Sequence, residues 1–225
     1  MKAFFAAVLC AFVPFAALAQ QATDDIAPEG LGAGRVASSP AVAAAQDAKA
    51  AGKPVEAHDW IVAAANPLAA EAGARVLRMG GTAADAMVAV QAVLGLVEPQ
   101  SSGLGGGAFL VWRDGGTGKI TTLDGRETAP LGVTPQLFQD EQGQPLQFFD
   151  AVVGGRSVGV PGTPALMQAA HDRWGQSDWG DLFTDAINLA ENGFEVSPRL
   201  AKLVAGDALR LDRFGPTRGY FLPDG

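Results

Sequence analysis

A chain of 225 residues, 48% apolar and 18% charged, has enough apolar sequence for one large globular core or two small ones. Its net charge of −8 argues against a nucleic-acid partner, which needs a basic face, and no cluster of Lys or Arg escapes that average. The two histidines, His58 and His171, have no metal-ligand spacing between them, so no metal is expected.

The first nineteen residues read as an export signal. Lys2 supplies a positive start, Phe4 to Leu18 is an apolar run broken only by Pro14, and Ala17-Leu18-Ala19 is a small-x-small cleavage site before Gln20. A membrane span needs about 20 apolar residues, so this run is too short to be a stable span. Residues 1–19 are therefore expected to be a Sec-type signal peptide, and the product to be periplasmic or secreted. The single cysteine, Cys10, lies inside this segment. The mature chain is expected to have no disulfide and no thiol chemistry.

Residues 20–57 are rich in Ala, Gly, Pro and Ser and read as a flexible N-terminal segment. Ala41 to Ala51 could form a short helix, but it lacks an apolar stripe. Trp60 to Ala64 is an apolar run of strand length. Asn66-Pro67 opens the first strong helix, with Asn as N-cap and Pro at the first helical position. Leu68, Ala72, Val76 and Met79 give it an apolar face, and Gly80-Gly81 ends it. Thr82-Ala83-Ala84-Asp85 fits a capping box for a second helix. From Ala86 to Val97 only Gln91 interrupts the apolar run, so this helix is expected inside the domain. Pro99 stops it.

Ala108 to Trp112 is a continuous apolar strand, which suits a sheet covered on both faces. Asp114 to Gly118 is a turn, and Ile120 to Leu123 returns as the second strand of a hairpin. A polar stretch from Pro135 to Asp150 reads as a surface loop. Thr163 as N-cap and Pro164 open another helix, with Leu166, Met167, Ala170 and Trp174 on its apolar side. Trp179 to Glu191 is a further helix closed by Asn192-Gly193. Ser197-Pro198 opens a last one that runs to about Leu211.

Two places carry candidate chemistry. Ser101, Ser102, Gly103, Gly105, Gly106 and Gly107 form a glycine-rich loop whose backbone and hydroxyls suit a pocket wall. The spacing Gly103-Leu104-Gly105-Gly106-Gly107-Ala108 imitates a dinucleotide loop. That motif needs a strand before it and a helix after it, and here the order is reversed. Arg126 ends the hairpin, where a guanidinium can grip a carboxylate with two parallel hydrogen bonds. Its neighbours Asp124 and Glu127 offer the plainer reading of a local ion pair. His58-Asp59 reads as a surface pair at a strand entrance. His171, flanked by Asp172 and Arg173, reads as solvated.

Several segments taken together resemble one family. Asn66-Pro67-Leu68-Ala69, Gly80-Gly81-Thr82-Ala83-Ala84-Asp85-Ala86, Glu98-Pro99-Gln100-Ser101-Ser102-Gly103-Leu104-Gly105-Gly106-Gly107, Arg126-Glu127-Thr128-Ala129-Pro130, Ser157-Val158-Gly159-Val160-Pro161-Gly162-Thr163 and Leu189-Ala190-Glu191-Asn192-Gly193-Phe194 follow one another. In order and spacing they are similar to the N-terminal part of the γ-glutamyltransferases (glutathione hydrolases), whose relatives include acylases of β-lactam precursors. The resemblance covers about residues 59 to 225.

It implies an α+β fold, the N-terminal part of an N-terminal-nucleophile (Ntn) hydrolase αββα sandwich, incomplete in this chain. Residues 58–225 are then the N-terminal portion of a large subunit. The family's precursor cleaves itself, and the freed N-terminal threonine of the small subunit attacks a γ-glutamyl amide such as glutathione. No cofactor is implied. The partners are the small-molecule γ-glutamyl substrate and the small subunit of the same precursor. Arg126 matches the arginine that binds the glutamyl α-carboxylate. Gly125 departs from the family, where many members carry Phe. The family's threonine stands in a Thr-Thr-His context, and none of the ten threonines here precedes a histidine. No catalytic residue is therefore assigned, and this chain alone is expected to be inactive. The alternative readings are a non-catalytic carboxylate-binding remnant and a β-lactam-precursor acylase relative.

Overall fold

The computed structural model describes residues 39–223, all within one unit of the chain spanning 34–225. The expected signal segment 1–19 and residues 20–38 lie outside the described residues. Helix α1, Pro40–Ala50, is capped by the Ser39 hydroxyl and buries no residue, which matches its lack of an apolar stripe.

The core is a helical hairpin. Helix α2, Pro67–Arg78, starts where Asn66 Oδ1 accepts the Leu68 N–H at 3.0 Å. It ends at Gly80, whose φ of +91° is costly for a residue with a Cβ. Helix α3, Ala83–Val97, starts from a complete Thr82–Asp85 capping box. Ala69, Ala72 and Val76 of α2 meet Ala86, Val88, Ala89, Val93 and Val97 of α3, with Met167 and Leu182 closing the cluster. Small side chains let the two axes come close. At Gly73 a Cβ would stand 2.6 Å from Val90 Cγ2, so only glycine fits there. Burying a Leu182 or a Met167 contributes about 1.5–3 kcal/mol. Met79, expected on the apolar face, sits at the C-cap and is 70% exposed. Trp60 to Ala64 forms no strand. No described strand pairs with it, and Val62 instead lies over Gly73.

Strands β1, Ala108–Arg113, and β2, Ile120–Gly125, pair antiparallel, with Leu110 opposite Leu123 and Ala108 opposite Gly125. The turn between them is tied by Asp114 Oδ1, which accepts the Thr117 N–H at 2.7 Å. Helix α5, Thr163–Trp174, covers one face, and Trp174 stacks on Trp112 with ring centroids 4.6 Å apart. Phe109 and Val111 on the other face are 67% and 73% exposed. The expected cover on both faces is thus corrected. Among the described residues the hairpin has one helical layer and nothing opposite it.

Three helix boundaries also shift. Gly162, rather than Thr163, precedes α5, and Thr163 is its first, fully buried residue. The segment after Trp179 splits into a 3₁₀ turn, Gly180–Phe183, and α6, Thr184–Asn192. The last expected helix breaks at Asp207 into α7, Pro198–Gly206, and α8, Ala208–Leu211. Two helices lie outside the expected set. The short α4, Phe148–Val152, closes the polar loop, and α9, Gly215–Phe221, starts at a Gly-Pro pair.

Asp85 holds α3 to the turn after α5. Its carboxylate, fully buried, accepts bonds from the Thr82 and Gln176 N–H groups and from the Ser177 N–H and hydroxyl. Burial alone pushes an acid's pKa up. These bonds, led by those from the Thr82 and Gln176 backbone, outweigh it and hold the carboxyl below its ordinary 3.8. His171 is corrected from a solvated residue. Its side chain is only 16% exposed, its Nε2 lies 2.9 Å from Ser177 O and 3.5 Å from Asp85 Oδ1, and Trp179 packs edge-on against its ring.

Candidate active-site wall

The glycine loop is fixed from both ends. At its start stands Glu98, the C-cap of α3, 1% exposed. Glu98 Oε1 accepts from Asn66 Nδ2 at 3.1 Å and from the Ser197 hydroxyl at 3.3 Å. Glu98 Oε2 accepts from Gln100 Nε2 and from Arg199 at 2.7 Å. Asn66 and Ser197 are the N-caps of α2 and α7, so one carboxylate joins two helix starts and one helix end. At the other end of the loop, Gly106 O accepts the N–H groups of Gly162 and Thr163 at 3.0 and 3.1 Å. That carbonyl occupies the N-terminus of α5, where orphan donors would otherwise face solvent. This helix start is therefore not an open cradle for a phosphate.

Ser101 and Ser102 are also held. Arg199 donates to Ser101 Oγ at 3.1 Å, and Gln91 Nε2 donates to Ser102 Oγ at 2.7 Å. Each hydroxyl accepts a bond and keeps its own hydrogen for a ligand. Ser101, Ser102, Gly103, Gly105, Gly106 and Gly107 line one open cleft of about 620 Å³. The structure thus brings the whole expected pocket wall together. Gly107 leaves no room for a side chain, since a Cβ there would meet Glu127 Oε2 at 2.6 Å.

Arg126 lines a second cleft of about 460 Å³, whose lining also includes Arg156 and Ser157. Gly105 and Glu127 line both clefts, so the two adjoin. The Arg126 side chain is 68% exposed, and its Nε lies 3.2 Å from Glu127 Oε2. Asp124 takes only the Arg126 backbone N–H, at 2.9 Å. The local ion pair exists, but it engages one edge of the guanidinium. The two terminal nitrogens make no hydrogen bond among the described residues. Glu127 Oε2 is itself buried and accepts no hydrogen bond, so its contact with Arg126 is purely ionic.

Gly125 is explained by packing. A Cβ there would stand 2.6 Å from Leu166 Cβ, and one at Gly162 would stand 2.0 Å from the Gly125 carbonyl oxygen. The end of β2 and the start of α5 touch backbone to side chain, and an aromatic ring at 125 has no space. His58 and Asp59 are exposed and stand apart from both clefts.

Sequence reasoning missed Glu98, Arg199, Gln91 and Arg156. A lone carboxylate closing an otherwise apolar helix is the signal for Glu98. Gln91, the single polar residue inside that helix, is the signal for the Ser102 contact. Nothing local marks Arg199 or Arg156.

A family profile described as Gamma-glutamyltranspeptidase matches residues 69–225. The glutathione hydrolase proenzyme of Bacillus subtilis (strain 168) is 44% identical over 167 residues, which is 74% of this chain and 28% of that protein. The solved gamma-glutamyltranspeptidase of Helicobacter pylori superposes with a TM-score of 0.72 at 35% identity, covering 76% of this chain and 49% of that one. That of Pseudomonas nitroreducens, complexed with L-DON, gives 0.67 at 33% identity, covering 73% and 49%. The chain thus spans 28% of that relative's length and 49% of each solved chain.

Proposed function

Since this chain belongs to the gamma-glutamyltranspeptidase family, a family of Ntn hydrolases, we propose that it supplies the donor-recognition wall of a γ-glutamyltransferase acting on glutathione. In this reading it is the N-terminal portion of the large subunit. Arg126 binds the α-carboxylate of the γ-glutamyl group. The observation that carries the assignment is the guanidinium itself, 68% exposed on the cleft wall and engaged on one edge only. Two free terminal nitrogens suit a bidentate grip on a carboxylate. Glu127 holds the other edge and limits how far the group swings.

The chemistry then belongs to the small subunit's N-terminal threonine. Its hydroxyl adds to the γ-carbonyl, its proton passes through the threonine's own amine to the departing nitrogen, and the C–N bond breaks to leave an ester. Water or an acceptor amine takes the acyl group from that ester. The residues of this chain bind and orient the donor, and they hold no proton in transit. The 225 residues alone are therefore proposed to be inactive, since none of their ten threonines stands before a histidine. Export is part of the same proposal. Cleavage after Ala19 would deliver the protein to the periplasm or beyond, and N-terminal sequencing of the exported product should start at Gln20 or within a residue or two.

The test is Arg126→Lys in the complete precursor. A charged hydrogen bond contributes about 1.5–3 kcal/mol, so kcat/KM for glutathione should fall by about tenfold to a hundredfold. Self-cleavage into two subunits should persist. Unchanged kinetics would reduce Arg126 to a structural residue.

A further inference from the structure

Arg126 is not the only guanidinium on its cleft. Arg156 lines the same cavity from the neighbouring segment, within the 3₁₀ turn Gly155–Ser157. It is exposed and makes no ion pair or hydrogen bond among the described residues. Gly154, with φ of +105°, bends the chain into this turn. The Ser157 hydroxyl fixes the turn by donating to Val152 O at 2.7 Å. The cleft therefore carries two guanidiniums and, in Glu127, one carboxylate, which pairs with Arg126. One positive charge stays unanswered.

The placement of the two cations says what they address. The two segments are joined by an antiparallel bridge between Thr128 and Val160, with Val160 N–H donating to Thr128 O at 2.8 Å. Arg126 precedes Thr128 and Arg156 precedes Val160, so the two leave the bridge in opposite directions. Arg126 stands two positions before its bridge residue and Arg156 four before its own, and an extended residue spans about 3.3 Å, so about 20 Å is the upper limit of their backbone separation. Two guanidiniums that leave one bridge in opposite directions along one cleft suit the two ends of an elongated ligand.

We propose that Arg156 is a specificity-determining residue that reads a carboxylate on the leaving-group side of the donor. This rests on the assignment of Arg126 to the α-carboxylate. A γ-glutamyl amide carries its α-carboxylate at one end and its leaving amine at the other. With Arg126 on the first, Arg156 meets the second. The favoured substrate class is γ-glutamyl peptides with a free C-terminal carboxylate, over γ-glutamyl amides with a neutral leaving group. An unpaired guanidinium suits that role, because it gives up no internal partner when the ligand arrives.

Two donors with the same γ-glutamyl end separate these statements: glutathione, anionic at its far end, and γ-glutamyl-p-nitroanilide, neutral there. Arg156→Leu in the complete precursor should raise KM for glutathione by about tenfold, with KM for the anilide unchanged. Arg156→Lys, which keeps the charge, should recover most of the difference. Equal changes for both donors, or no change for either, would overturn the role of Arg156. Arg126→Lys, run in parallel, should weaken both donors alike. If it affects neither while Arg156→Leu still splits them, the α-carboxylate assignment fails separately. If Arg156→Leu does not mature into two subunits, the comparison rests on Arg156→Lys. That variant should keep a glutathione-to-anilide KM ratio near wild type, and a ratio shifted as far as removal of the charge predicts would overturn the proposal.

Discussion

Glu98, buried at the start of the glycine loop, and Arg126, on the wall of the adjoining cleft, are charged residues treated in opposite ways. Both oxygens of Glu98 are taken, by Asn66 and Ser197 on one side and by Gln100 and Arg199 on the other, and water is kept out. Arg126 touches a single carboxylate and keeps most of its surface. The apolar residues follow the same division. The α2–α3 hairpin buries its small side chains against each other, whereas Phe109 and Val111 of the strand hairpin face outward. The helical half is complete in itself. Among the described residues the strand half leaves an apolar face uncovered and a guanidinium engaged on one edge only.

The sharpest way to break this contrast is Glu98→Ala. It strips one buried carboxylate from Arg199 and from two helix caps, so urea unfolding should show a loss of about 3–5 kcal/mol. A loss under about 1 kcal/mol would mean that the Glu98 cluster is no more structural than a surface pair. Next comes the seam between the halves. Gly162→Ala forces a Cβ toward the Gly125 carbonyl, only 2.0 Å away, and should cost about 1–3 kcal/mol in the same measurement. A neutral result would show that β2 and α5 can part freely.

Acid probes the helical half through Asp85, while in the strand half the Thr117 hydroxyl and N–H hold the exposed Asp114 carboxyl below its ordinary value as well. The Asp85 carboxyl titrates below its ordinary 3.8 in the fold, so its contribution is fully present above that pH. That contribution is lost as pH falls through the depressed value. His171, at 3.5 Å, is the ionisable side chain that faces it. Stability of Asp85→Asn followed from pH 5 to pH 2 should therefore fall less steeply than that of wild type. Parallel curves would remove Asp85 from the acid response. The smallest effect belongs to the open face. Val111→Thr, at a residue 73% exposed, should change stability by less than about 0.5 kcal/mol. A larger loss would mean that this face is covered after all.

The same division decides what could be read from the sequence. Helix starts were legible at Asn66-Pro67, Thr82-Asp85 and Ser197-Pro198, because a cap and its target lie within three residues. The hairpin and its turn were legible for the same reason. The Glu98 and Asp85 clusters were not, because Arg199 and Gln176 reach them from 101 and 91 residues away and no local pattern announces such a partner. His171 was misread on the same ground. Its flanking charges suggested solvent, while the fold turns it toward Asp85. The alternation of exposed and covered residues in β1 was hidden because both kinds are apolar. Arg126 stood out only through its motif, and its place on a cleft needed the Thr128–Val160 bridge.

The Glu98 cluster also has a timetable. Its partner Asn66 precedes it by 32 residues, and Arg199 follows it by 101. A ribosome adds about 5–20 residues per second, so Glu98 is made roughly 5–20 s before Arg199. Throughout that interval the α2–α3 hairpin can close on contacts already made, while the carboxylate waits in water for a cation not yet synthesised. Contacts between distant parts of a chain form late. The loss in Glu98→Ala should accordingly appear as faster unfolding, with the folding rate little changed. Arg199 is thus the bolt shot last, and until it arrives the glycine loop has one hinge and no latch.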